Sequence, residues 1–461
     1  MQQIDEAHPL KVLVVGAGLC GLSAAIALRR QGHHVHILES SSFKSELGAG
    51  LAVPPNTVHS LRGLGCDIDN LKPVDNLCFT AMAHDGNPGM MNNMTDYRKA
   101  YGDPWVMAHR VDLHNELMRV ALDPEGAGLP AQLRLGVQVV SCDVEACTIS
   151  LVDGTVCSAD LIVGADGIRS TIRSYILGKE IDIPPTGIAG YRWLIPAEAL
   201  EPYPELDWII KKPPLGARLI TAPIRRNEQT DVGEKADKRT IIIYACRSGT
   251  MINVLGVHDD PRNQNEVGKS SGVCFSQNLN SISGWNVPVT QENLLEFFGD
   301  YHPRFKRLLQ LADSIHLWQM RVVPRLDTWI NKRVCLLGDS AHASLPTLGQ
   351  GFGMGLEDAV ALAALLPMGT KVSDVENRLV AYESLRKERA EYVATESLEQ
   401  QDILGKRGLY LRCECSTFCV FERIFLSCNS EAPMMRDKIM GYDIKAEAEK
   451  VLMELRTSTA Q

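Results

Sequence analysis

Long apolar runs, basic tracts, zinc-type cysteine pairs and internal repeats are all missing from this 461-residue chain, and each absence removes a class of function. The most apolar late stretch, residues 409–428, is interrupted by Arg412, Glu414, Glu422 and Arg423. Each would cost about 2.5–3.5 kcal/mol at a bilayer centre, so no membrane span is expected. Lys and Arg number 47 against 56 Asp and Glu, a formal charge of -9, which leaves nothing to hold a phosphate backbone and argues against nucleic acid. Cysteines number thirteen, an odd count. Cys413, Cys415, Cys419 and Cys428 cluster, but not at zinc spacing, so no metal is expected and the thiols read as reduced. With no secretory leader before the first strand-like run, a cytoplasmic protein, monomer or homodimer, is expected. Hydrophobic residues at 45% and charged residues at 22% match an ordinary folded globular chain.

The length exceeds what one compact core usually organises, which favours two interlocked domains. Lys11-Val12-Leu13-Val14-Val15 has the continuous apolar character of a parallel strand buried on both faces. An Ala/Leu-rich helix over residues 22–30 stops at Gly32, and a second strand follows at 35–38. Strand signals at 159–163 and 333–337, each entering a Gly/Asp turn, complete an α/β, Rossmann-like domain built from separated pieces. Its expected extent is residues 1–75, 105–185 and 318–402. Between these pieces, 190–196, 217–223, 240–246 and 250–257 are rich in β-branched and aromatic residues. They predict an inserted, mainly antiparallel sheet domain over 76–104 and 186–317. Polar stretches 225–239 and 258–272 read as mobile surface loops. Amphipathic spacing after Glu357, through Leu379, Tyr382 and Leu385, predicts helices to about residue 402, with a helical C-terminal region over 403–461.

The chemistry begins at Gly16-Ala17-Gly18-Leu19-Cys20-Gly21, placed between a strand and a helix. Gly16, Gly18 and Gly21 permit a tight turn, close approach of a pyrophosphate and close helix packing. Glu39, eighteen residues beyond Gly21 at the end of the second strand, is placed to accept both hydroxyls of an adenosine ribose. An ADP-containing cofactor follows. The Gly motif alone does not distinguish NAD from FAD. Two further motifs sit at strand ends, Gly164-Ala165-Asp166-Gly167-Ile168-Arg169-Ser170 running to Arg173, and Gly338-Asp339-Ser340-Ala341-His342 continuing through Pro346 and Gly349-Gln350-Gly351.

These three motifs, in this order from about residue 11 to about 402, resemble the flavoprotein aromatic hydroxylases, most closely the fungal salicylate-hydroxylase-like monooxygenases. The resemblance implies tightly bound, non-covalent FAD, with NADPH or NADH as co-substrate engaged without a second Rossmann domain. It implies that Asp339 accepts a ribityl hydroxyl, that Gly349, Gly351 and Gly353 admit the flavin pyrimidine edge, and that Arg110 lies near the diphosphate and ribityl chain. Asp166 and Arg173 would border the nucleotide groove, His342 would support the flavin loop, and Pro346 would shape the oxygen side of the flavin. The implied reaction adds O₂ at flavin C4a, the hydroperoxide then hydroxylating an aromatic or electron-rich small molecule. On the inserted sheet, Tyr191-Arg192-Trp193 and Tyr244 could face one cavity. There Arg192 would hold a phenolate or carboxylate, and Tyr244 would share its proton. Halogenation or epoxidation on the same fold is the alternative, but Tyr191 stands where halogenases carry the first tryptophan of Trp-x-Trp-x-Ile-Pro. A non-catalytic flavin-binding protein would not need the Gly-Asp and Pro-x-x-Gly-Gln-Gly region.

Overall fold

The computed structural model describes residues 8–43, 48–209, 211, 215–222, 239–260, 284–406 and 431–459. The strand Lys11–Val15, apolar after its first residue, lies inside a six-stranded sheet. His34–Glu39 and Leu161–Gly164 run parallel to it on either side. Gln132–Leu135 extends one edge and Val334–Leu336 the other, and Ile330–Asn331 adds a short antiparallel border. The helices Leu19–Arg30 and Gly351–Leu365 pack against one another. Helix cover explains why these strands carry no alternation, since neither face meets water. The sheet is drawn from three separated stretches of chain.

The second sheet has eight strands. From Asn286–Pro288 it passes through His316–Arg321, Pro185–Pro196, Met251–Asp259, Thr240–Cys246, Gly216–Thr221 and Cys78–Met82 to Pro88–Asn93. All its pairings are antiparallel except that of Cys78–Met82 with Gly216–Thr221. One face packs on the helices Gln291–Phe298 and Pro303–Gln310 in a core that includes Tyr191, Trp193, Ile243, Val254, Phe298 and Phe305. Alternate residues point the other way, toward the first domain.

Three expectations shift. Arg239 belongs to no loose loop, because it is buried and its guanidinium donates to Asp300 at 2.8 and 2.9 Å. His258 and Asp259 complete the strand Met251–Asp259, with His258 buried between Tyr191 and Phe297. The remainder of both stretches, 225–238 and 261–272, and the cysteine cluster within 407–430, lie outside the described residues. The eight described cysteines are free thiols. The helix expected after Glu357 begins earlier, at Gly351, because glycines in its first turn conceal the apolar periodicity. Long helix Val375–Lys406 follows, and Glu431–Met440 and Ile444–Thr459 form the described C-terminal part. No helix among the described residues is long and apolar enough to cross a membrane.

Arg29, in the last turn of the first helix, is fully buried and has no carboxylate partner among the described residues. Its guanidinium donates to the carbonyls of Val120, Ala121, Asp123, Gly128 and Leu129 at 2.7–3.1 Å. It thereby ends the helix Arg110–Leu122 and fixes the turn into the edge strand Gln132–Leu135. Arg29→Met strands several of these acceptors and is expected to cost about 3–5 kcal/mol in urea unfolding. An unchanged midpoint would show that water replaces the guanidinium freely.

Candidate active site

The Gly motif forms the turn between the first strand and helix. Gly16 has φ +104°, and a Cβ there would lie 2.4 Å from the Ala165 carbonyl oxygen; one at Gly21 would lie 2.0 Å from the Gly16 oxygen. Both glycines are therefore set by contacts within the protein. Gly18 differs, because a Cβ on it would meet nothing within 4 Å, and it caps the helix with no side-chain acceptor. Its open side and the first-turn N–H groups suit an anion. Glu39 is already engaged, with one oxygen accepting Ala17 N–H at 2.7 Å and the other Ser41 N–H at 2.6 Å. It thus shapes the loop it was expected to serve, keeping acceptor capacity for a ribose.

The Asp-Gly and Gly-Asp motifs meet each other. One Asp166 oxygen caps the helix Thr171–Leu177 through Thr171 N–H at 2.7 Å and Ile172 N–H at 3.1 Å, while the other is buried with no protein partner. Burial pushes its carboxyl up against these hydrogen bonds. Arg173 is buried and turned inward, donating to the carbonyls of Ser340 at 2.9 Å and Ile168 at 2.7 Å, so it clamps the two motifs together. Asp339 follows Gly338, whose φ is +62°. Asp339 is exposed to solvent, and no protein donor among the described residues reaches its carboxylate. Desolvation raises its pKa, with His342 and Arg110 opposing the shift. Arg110 opens the helix Arg110–Leu122, its N–H bound to the Ala49 carbonyl at 2.8 Å.

Behind these motifs lies a buried ionic cluster that sequence reasoning missed. Asp358 accepts Gly338 N–H at 2.9 Å, His342 Nε2 at 2.6 Å and Arg386 Nε at 2.9 Å. Burial alone would raise the Asp358 carboxyl, but His342, Arg386 and these hydrogen bonds outweigh it and hold it at about 2. Neighbouring Glu357 binds Arg386 at 2.8 Å, Arg389 at 2.7 Å and Asn56 at 3.1 Å, and Asn56 reaches Gln350 at 3.2 Å. The turn Pro346–Leu348 ends at Gly349, φ +64°, and Pro346 is exposed. A Cβ on Gly351 would meet nothing within 4 Å, whereas one on Gly353 would lie 2.5 Å from Thr57 Oγ1. A signal was available: Glu357 and Asp358 interrupt an otherwise apolar helix, and Arg386 continues the Leu379, Tyr382 stripe.

On the eight-stranded sheet, register decides which side chains converge. Arg192 lies opposite Leu255, and Leu255 opposite Ile242, so Arg192, Leu255, Ile242 and Tyr244 share one face. Arg192 and Tyr244 are two strands apart, roughly 12 Å between Cα atoms. Tyr191 and Trp193 do not join them; both are buried on the opposite face in the helix-packed core. The shared face meets the strand Gly50–Val53, where Asn253, opposite Tyr244, accepts Gly50 N–H at 2.8 Å. Asn253 was not anticipated. Burial lowers the pKa of Arg192, which nonetheless stays charged, and lies 5.5 Å from the Trp318 ring centre. Burial raises the Tyr244 phenol, so it remains a hydrogen-bond donor at neutral pH.

An extended dinucleotide fits these features: a glycine turn open at Gly18, an uncapped helix start, an Asp339 carboxylate with no donor among the described residues, and a turn at Gly349 leading to an open Gly351. Gly18→Ala is expected to keep the apoprotein stability within about 1 kcal/mol while lowering flavin retention, since only a bound ligand would meet the new methyl. Gly21→Ala should instead destabilise the fold itself. Thermal unfolding and flavin absorbance of both purified variants separate the outcomes, and equal loss of stability would refute the distinction.

The family described as FAD binding domain matches residues 9–182 and 280–397. The chain is 62% identical over 452 residues to hispidin-3-hydroxylase of Neonothopanus nambi, covering 98% of each protein. Among solved structures, CtdE in complex with FAD and its substrate 4 superposes with TM-score 0.74 at 19% identity, covering 98% of this chain and 100% of that one. A salicylate hydroxylase substrate complex superposes with TM-score 0.69 at 24% identity over 96% and 98%. The chain belongs to the FAD-binding-domain family of flavoprotein monooxygenases and hydroxylases, and is an FAD-dependent oxidoreductase.

Proposed function

We propose that this enzyme hydroxylates an electron-rich ring of a small phenolic or enolic substrate, consuming O₂ and NADPH or NADH. Hispidin, in the name of the 62% identical relative, is the first candidate. The observation that carries the reading is the pairing of Arg192 and Tyr244 on the sheet face turned toward Gly50–Val53. FAD, when bound, would supply the redox chemistry between the nicotinamide and O₂. Gly18, Asp339 and Gly351 would hold it, with Asp166, Arg110 and the Gly349 turn nearby. Arg192 stabilises the ionised ring oxygen of the substrate, raising electron density on the adjacent carbon. Tyr244 donates a hydrogen bond that orients the ring, and the desolvated sheet face strengthens both interactions.

A charge-assisted hydrogen bond is worth about 1.5–3 kcal/mol. Arg192→Gln is therefore expected to lower kcat/KM for hispidin roughly 10- to 150-fold, leaving substrate-independent NAD(P)H oxidation unchanged. Product yield per NAD(P)H, by chromatography, checks this; wild-type kcat/KM in the variant would remove Arg192 from the site.

A further inference from the structure

Beyond the Arg192 face lies a cleft of about 520 Å³ whose walls include Val74, Met107, Ile209, Leu215 and Tyr244. That is within the size range of small-molecule sites, and larger than a single ring requires. We propose that it is the second half of the substrate site, taking the remote, hydroxyl-bearing aromatic arm of an elongated two-ring substrate. The proposal rests on the reading that the reacting ring lies between Arg192 and Tyr244.

Tyr244 connects the two compartments, because it lines the cleft and also shares the Arg192 face. Its ring is seated tightly: a Cβ on Gly50 would approach Tyr244 Cε2 to 2.5 Å, so the backbone of the strand Gly50–Val53 supports it directly. A substrate lying past that ring would present one end to Arg192 and the other to the cleft. The walls suit a flat apolar arm, and Leu215 leaves 37% of its surface exposed there. The mouth is polar. Asp75 and Ser248 are exposed, and neither side chain has a hydrogen-bond partner among the described residues. A carboxylate and a hydroxyl at that end fit the hydroxyls of a catechol or phenol.

The mouth is also held in place. Arg247, Ser248 and Gly249 have φ of +52°, +53° and +84°, a conformation unfavourable for the first two. Arg247 binds Asp112 at 2.7 and 3.2 Å, and Lys72 reaches the same carboxylate at 3.2 Å. This pairing anchors the strained turn to the helix Arg110–Leu122, so Ser248 is presented at the cleft in one position.

The test titrates FAD-loaded enzyme, following the flavin spectrum, with two probes. One is hispidin, a hydroxypyrone joined through a vinyl link to a catechol; the other is the same pyrone with a methyl group in place of the arm. Leu215→Trp narrows the cleft and is expected to weaken hispidin at least about 10-fold while the short pyrone changes less than about twofold. Asp75→Ala should weaken hispidin alone, by about 3- to 10-fold. Val74→Phe repeats the first experiment should Leu215→Trp fail to retain FAD. Equal weakening of both probes, unchanged hispidin affinity, or no hispidin binding by the wild-type enzyme each overturns the proposal. Arg192→Gln reports separately on the underlying reading, weakening both probes if the reacting ring sits at Arg192 and neither if it does not.

Discussion

Glu357 and Asp358, adjacent carboxylates fully buried within the helix Gly351–Leu365, make the fold and the cofactor site depend on one ionic cluster. A buried charge without its partner costs about 3–5 kcal/mol, so Arg386, itself fully buried between them, is the condition for the rest. Through Asp358 the cluster fixes Gly338 and His342, and so the direction of Asp339. Through Glu357 it fixes Asn56, Gln350 and the glycine turn. Arg389 carries the same cluster outward to the carbonyls of Lys438 and Ile439, which ties the C-terminal helices to the cofactor side. A rigid polar interior of this kind presents preorganised groups to a ligand, with little rearrangement on binding.

A second constraint is the pleat of the eight-stranded sheet. Its period of two divides Tyr191 and Trp193 from Arg192, giving the former pair to the helix-packed core and the latter to the face turned toward Gly50–Val53. Asn253 and the Arg247–Asp112 pair fasten that sheet to the first domain at two points, Gly50 and the helix Arg110–Leu122. The face that carries Arg192 and Tyr244 is thereby set against the first domain, and burial there increases what a single guanidinium contributes.

The glycine motifs were legible in sequence because most of their requirements are local: a positive φ at Gly16, Gly338 and Gly349, and the approach of the Gly16 carbonyl at Gly21, whereas Gly353 is set by Thr57 from a distant segment. Strand runs were legible for the same reason, since burial on both faces removes polar residues. What sequence left open was the direction of side chains. Nothing in Tyr191-Arg192-Trp193 states which residue faces the cofactor, because alternation fixes relative and not absolute orientation. Arg239 and His258 read as loop residues because their partners, Asp300 and Phe297, are distant in sequence. The partners of Arg173 were hidden because they are carbonyls that only the folded chain brings near. The hydroxyl-accepting cleft beside Tyr244 was invisible, being assembled from four separated segments.

The most direct measurement is anaerobic stopped-flow reduction of the bound flavin by NADPH and by NADH, with and without hispidin. The account predicts a bound flavin whose bleaching accelerates with hispidin, and, on admitting O₂, a product carrying one added oxygen atom. Flavin that is bound and reduced at one rate regardless of any phenol or enol offered, with no oxygenated product, would contradict it.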